Sequence, residues 1–337
     1  MRNGIITLIL TLCVAPSLMA QMMPDSTVQI TAYWDKGDKV VYNVTQNVKQ
    51  VSKDGTEKVL SSASEKDTFE VIDQTDTSYI VRMTMDDVVS SSITEDVDKE
   101  FSNIIAKEFK LDFRTDEYGE LKSFYNLYPE CERMKGLIPD VRDAFIQKAG
   151  KKLDKEKQER VRAIAQNYCD IVCEPDNLFE LTLPTISRLL EFHGCVLDTT
   201  KLYTIKETIK NVYGHDFEVD QEEWVDETQS DSTYVVIRTS AQIDNDTLMP
   251  YLEEKVMQGL KEATASEEEF QEAWDEWLEE AISQHFQVVT TQYKIWVIHL
   301  PSGWPVQYGE KLVVSLKSDE EEVNTINTYD ILIADVQ

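Results

Sequence analysis

The chain has 337 residues, with 63 Asp and Glu against 33 Lys and Arg, a formal charge of −30. So acidic a balance argues against nucleic acid and anionic lipid surfaces as partners. The length suits one large or two modest domains, at roughly 100–200 residues each.

The first twenty residues, MRNGIITLILTLCVAPSLMA, read as a secretory leader: Arg2, an apolar run from Ile5 to Val14, and Ala20 before Gln21. The run is short of the ~20 apolar residues that span a bilayer. Cys13 follows Leu10-Thr-Leu, a spacing that raises lipidation. Leu12 is bulky where a lipidation site wants a small residue, so cleavage near Ala20 is the expectation. Cleavage leaves 317 residues at −31, because Arg2 is lost, and a periplasmic or secreted product with no later transmembrane segment.

Three stretches then recur in the same order. Tyr42-NVTQNVKQV matches Tyr203-TIKETIKNV, at an offset of 161; TDTSYIVRMTM (75–85) matches SDSTYVVIRTS (230–240), at 155. FKLDFRTDEYGELKSF (109–124) matches YKIWVIHLPSGWPVQY (293–308), with Gly119 against Gly303 at an offset of 184. Three ordered matches predict an internal duplication. Alternating Tyr, Val and Ile with polar residues predict strands, and the glycines predict hairpin turns. The expected fold class is α+β, with two tandem antiparallel β-meander units, helices packed on the sheets and a helical connecting segment. The expected divisions are a signal peptide (1–20), a first β-rich repeat (21–128), the helical segment (129–200) and a second repeat (201–337).

The second repeat carries 29 extra residues between its second and third matches, expected to form an inserted helical hairpin at 244–285. Ser266 with Glu269 is a capping-box signature, and three consecutive Glu residues (267–269) suit a helix start. Phe109, Leu111 and Phe113 form an expected apolar strand face, with Lys110, Asp112 and Arg114 turned to water. The matching face in the second repeat is Tyr293, Ile295 and Val297, with Trp296 and Ile298 opposite. A strand apolar on both faces wants cover on both, and the helix carrying Phe270, Trp274 and Trp277 is the expected cover over Trp296.

The helical segment reads as three pieces, Asp140–Gly150, Lys155–Cys173 and Pro184–His193, with Gly194 as a stop. Seven basic residues lie between Lys148 and Arg162, interleaved with three acids. A solvated helix face is the first reading, and a docking patch for an acidic partner the second. Cys131, Cys169, Cys173 and Cys195 survive cleavage and allow three disulfide pairings, none preferred.

Motifs that carry chemistry are missing. His193, His215, His285 and His299 form no HxH, HExxH or HxxE pattern, and there is no GxSxG or phosphate-cradling loop. No catalytic, metal or cofactor residue is therefore assigned. The aromatic group Phe270, Trp274, Trp277 and Trp296 is the candidate binding site, lining an apolar pocket, with core packing the competing role.

Ala20-Gln21, Lys36-Gly-Asp38 with Tyr42, and the Ser302-Gly-Trp304 turn give the chain a family look. It resembles a group of uncharacterised exported (periplasmic) proteins of Gram-negative bacteria. The outline is also similar, weakly, to lipoprotein-carrier-like lipid-binding folds, in which helices plug the concave side of a curved antiparallel sheet. That resemblance implies an apolar small-molecule ligand and carries over no catalytic residue. Three functions follow as expectations: an exported non-catalytic binding protein for an apolar or lipid-like ligand, a structural or interaction module with an envelope protein as partner, or a hydrolase using distant carboxylates.

Overall fold

A computed structural model describes residues 26–91, 96–150, 153–231 and 233–336. The first half runs β1 (Thr27–Gln29), β2 (Lys39–Ser52), β3 (Glu57–Thr75), β4 (Ser78–Ser90), α1 (Asp96–Glu108), β5 (Leu111–Asp116) and β6 (Leu121–Phe124). Three helices follow, α2 (Leu127–Ala149), α3 (Lys155–Val172) and α4 (Pro175–Leu190). The rest runs β7 (Val196–Asp198), β8 (Leu202–Val212), β9 (His215–Val225), β10 (Tyr234–Ile243), α5 (Asn245–Ala263), α6 (Glu267–Ser283), β11 (Gln287–His299), β12 (Pro305–Lys317) and β13 (Glu322–Val336). The chain is thus α+β.

Among the described residues, eleven strands join into a single antiparallel sheet in the order 6-5-4-3-2-13-12-11-10-9-8, and β1 pairs separately with β7. Strands β2–β6 and β8–β12 are fused into one sheet. The fusing strand is β13, which pairs with β12 on one side and β2 on the other.

The sheet is strongly curved, and two turns show it. The β5–β6 turn accepts a bond from Ala32 N at Tyr118 O (2.8 Å), and the β11–β12 turn accepts one from Tyr33 N at Ser302 O (3.1 Å). Strands β5 and β12 are five steps apart in the sheet. A flat sheet would separate them by about 24 Å, so both turns reach residues 32–33 only if the sheet rolls around that segment. Trp34 locks the junction by stacking on Trp304 (4.2 Å between ring centres) and tilting against Tyr79. Gly303 is required here: its φ is +73° and a Cβ would overlap the Thr31 carbonyl.

Helices α1 to α4 fill the concave side. Phe101, Met134, Val161 and Ile186, one from each, share a single buried cluster with Phe69, Val81, Phe113 and Trp296 from the sheet. A second, smaller cluster joins Leu248 and Leu252 of α5 to Ile209, Ala241 and Val288. The caps follow chemistry: Asp244 accepts from Thr247 N (2.9 Å) and Ser266 from Glu269 N (3.2 Å).

Several expectations need correction. Pro184 does not start a helix but lies inside α4, and α2 begins at Leu127 rather than Asp140, because packing into the first core extends both helices across their prolines. Asp112 does not face water: it is 6% exposed and takes both oxygens of a paired contact from Arg82, at 2.7 and 2.8 Å. The inward face of β11 is Trp296 and Ile298, both 0% exposed, while Tyr293 is 50% exposed. The turns explain the reversal. Gly119 N donates to Asp116 O three residues back, whereas Gly303 N donates to His299 O four back. One added residue flips every side chain to the other face. Counted from those carbonyls, Phe113 matches Trp296 and Thr115 matches Ile298, all buried. Finally, the cover over Trp296 is α4 and not α6: the indole donates to Arg188 O (2.7 Å) and meets Phe192 edge-on (4.9 Å).

Candidate functional site

The register places an unusual row of polar side chains on the inward face of the sheet. Cross-strand neighbours run Glu223, Thr239, Lys294, Glu310, Tyr329 and Gln46 across six successive strands. Gln292, Asn327 and Glu65 flank it on the same face. This row crosses the sheet between the two apolar clusters. Above it, α4 contributes Glu180, Thr185 and Arg188, Glu191 follows at its C-terminal end, and a cleft of about 670 Å³ lies between helix and row.

One cation organises the floor. The Arg188 guanidinium sits 4.3 Å from the Tyr329 ring centre and bonds Glu310 at 2.9 Å. Glu310 also accepts from Tyr308 Oη (2.9 Å) and Gln292 Nε2 (2.7 Å). Tyr329 shares a 2.7 Å hydrogen bond with Thr185 of α4, and burial pushes its phenol up to about 12. A second cation, Lys294, is only 10% exposed and lies 3.6 Å from Glu207.

The remaining groups are acceptors. Gln292 is 7% exposed and its Oε1 has no hydrogen-bond partner; Asn327 Oδ1 lacks one too. Glu191 lines the cleft, where surrounding protein desolvates it. That desolvation pushes its carboxyl up to about 7; Lys294 pulls it down, and Glu207, Glu223 and Glu310 push it further up. Burial also raises Glu65, and Asp67 next to it stands well above the usual carboxylate range through burial and the Glu65 charge.

The four aromatic residues expected to bind do not share one site. Trp296 is 0% exposed in the first core, separated from the cleft by Tyr308, whose ring is 5.1 Å away. Phe270, Trp274 and Trp277 lie on α6, which packs on α5. Trp274 stacks on Trp277 at 5.2 Å, and Lys261 caps the Phe270 ring at 5.2 Å. None of the four lines the cleft. The residues that do line it escaped notice because each looks like an ordinary surface position. The available signal was parity: Gln292 and Lys294 share a face with Trp296, and Glu310 shares one with Tyr308.

Cys131, Cys169, Cys173 and Cys195 are all thiols. Burial pushes the Cys173 thiol up to about 12, with Cys169 adding to it. Among the described residues, no three His, Cys, Asp or Glu side chains converge as a metal site, and no helix is long and apolar enough to cross a membrane. In the basic stretch Arg160 bonds Asp98 and Arg162 bonds Glu159, so two of its charges are already engaged. Residues 1–20, with Cys13 and the Ala20 junction, and Lys151 and Lys152 lie outside the described residues.

The structure defines the chain as a curved eleven-stranded antiparallel sheet with helices on its concave side and a polar cleft under one of them. No protein-family model matches the chain, and no curated protein sequence matches it.

Proposed function

We propose that this chain is an exported, non-catalytic binding protein whose ligand occupies the cleft between α4 and the polar row. The carrying observation is the cleft itself. Its volume of about 670 Å³ falls in the usual range for small-molecule sites, ~300–1,000 Å³. The lining of charges and amides favours a polar ligand over the lipid-like one that the carrier resemblance implies.

Export rests on the leader pattern of residues 1–20. A periplasmic or secreted destination follows from it. We read the two meanders as a duplication. In support, strands 2-3-4-5-6 and 8-9-10-11-12 run through the sheet in the same sense, and each has its helices inserted after the third strand.

The hydrolase alternative draws on Glu191 and Glu310 sharing one cleft. Glu310 is committed to Arg188, Tyr308 and Gln292, which leaves it poorly placed as a nucleophile or base. An interaction module finds its support on α6, the helix of the stacked tryptophans, where Ile282 is 76% exposed.

Native mass spectrometry of the protein purified from an exporting host tests the binding reading. A small-molecule adduct that disappears in Ser187→Trp, which fills the cleft, is expected. An adduct that persists in that variant, or none in a panel of small polar compounds, overturns it.

A further inference from the structure

Helix α6 carries an apolar stripe that the chain leaves mostly uncovered. Phe270, Trp274, Trp277, Leu278 and Ala281 share one face at helical spacing, yet Phe270 alone is buried. The helix packs on α5. Trp274 and Trp277 remain half-buried, with their rings stacked at 5.2 Å, and Ile282, one turn after Leu278, is 76% exposed. Most of a helix's stability comes from packing its apolar face, and this stripe has surface left to pack. From Trp274 to Ile282 it runs for about 12 Å, two turns, a length that another helix can lie along.

The charge on α6 points to the kind of helix. Its sequence holds eight carboxylates and no Lys, Arg or His. Among the described residues, the ion pairs nearest to it in sequence are His215–Glu254 and His285–Asp319, and neither uses an α6 carboxylate. Glu279 and Glu280 stand three residues from Ile282 and Trp277, at the borders of the stripe. The helix already takes a cation on one of its rings, for Lys261 of α5 lies 5.2 Å from the centre of Phe270.

We propose that α6 docks a basic amphipathic helix of a partner protein. The apolar side of that helix meets Trp274, Trp277 and Ile282, and its Lys or Arg side chains meet Glu279 and Glu280. This surface is independent of the cleft. A second copy in an isologous contact would set eight carboxylates against eight. An anionic lipid surface would meet the same repulsion. A neutral helix would cover the bordering carboxylates without answering their charge.

Fluorescence anisotropy at near-physiological salt tests this with three labelled peptides. One is amphipathic, of Leu, Ala and Lys; the second has Glu for each Lys; the third has Ser for each Leu. The first should bind best. Ile282→Ser should weaken it about tenfold, because a large apolar side chain is lost from the contact. That site is exposed, so the urea midpoint should hold. Glu279→Gln should weaken binding more than Glu218→Gln, an exposed change on β9. Equal effects of those two variants, or equal binding of the Ser peptide, would mean general attraction to a chain of charge −30 and would overturn the proposal. Equal binding of the Glu peptide would overturn the basic partner. Self-association without peptide, lost in Ile282→Ser, would make the occupant a second copy and overturn it too. So would no binding at all.

Discussion

His193 sits where the two hairpin turns meet the segment 30–34, and it should make the fold sensitive to acid. Its Nε2 lies 2.9 Å from Gly303 O, so that nitrogen carries the proton, and Nδ1 has no partner. The ring is 2% exposed and tilts against Trp34 at 5.6 Å. A second proton would place a charge in the core. Burial accordingly lowers the pKa from 6.5 to about 4, with neighbouring carbonyls offsetting only part of the effect. A base whose folded pKa is depressed gives stability that is present above its unfolded pKa and is lost as pH falls toward the folded value. The full difference of 2.5 pH units corresponds to about 3 kcal/mol, and about 2 kcal/mol of it is spent between about pH 7.5 and pH 5. Urea unfolding followed by tryptophan fluorescence at those two pH values, on wild type and His193→Gln, isolates the term. Every other titrating group is common to both proteins. Wild type should lose about 2 kcal/mol more than the variant on acidification. Parallel losses in the two proteins would refute the burial argument.

Other outcomes follow from the same geometry. Gly303→Ala forces a Cβ into the Thr31 carbonyl at φ +73° and should cost about 3 kcal/mol or prevent folding, read from the urea midpoint. Trp296→Phe removes the donor to Arg188 O and leaves a buried carbonyl unpaired, a loss of about 1–3 kcal/mol in the same assay. Thiol titration of the chain lacking residues 1–20 should find four thiols after denaturation without reductant, with Cys131 and Cys173 slow to react in the native state. Binding of a cationic ligand in the cleft should tighten as pH rises through about 7, because Glu191 gains its charge there against Glu207, Glu223 and Glu310 and beside Lys294. A flat pH profile would remove Glu191 from the contact.

Much of the architecture is legible in the sequence because it rests on local rules. The cap at Ser266, the turns at Gly119 and Gly303, and the alternating strands all follow from spacing. What local rules cannot reach is the pairing of distant segments. Strand β13 looks like one more Ile- and Thr-rich stretch, yet it joins the two meanders. In the segment 30–34, Ile30, Ala32 and Trp34 are buried because two distant turns close on it, while Tyr33 stays exposed. Face assignment failed at β11 because a one-residue difference in turn length is invisible in a glycine-anchored alignment. The site was missed for a related reason. Lys294, Glu310 and Gln292 look like surface residues until the register shows that they share a face with Trp296 and Tyr308.

The account stands on the cleft under α4 being a ligand site, and a crystal structure of the protein purified from an exporting host tests that most directly. The account predicts continuous density in the cleft, in contact with Glu191 and Gln292 and bounded by Arg188 and Tyr329. Ordered water alone in the cleft, with ligand density on the Trp274–Trp277 face of α6 or nowhere, would contradict it.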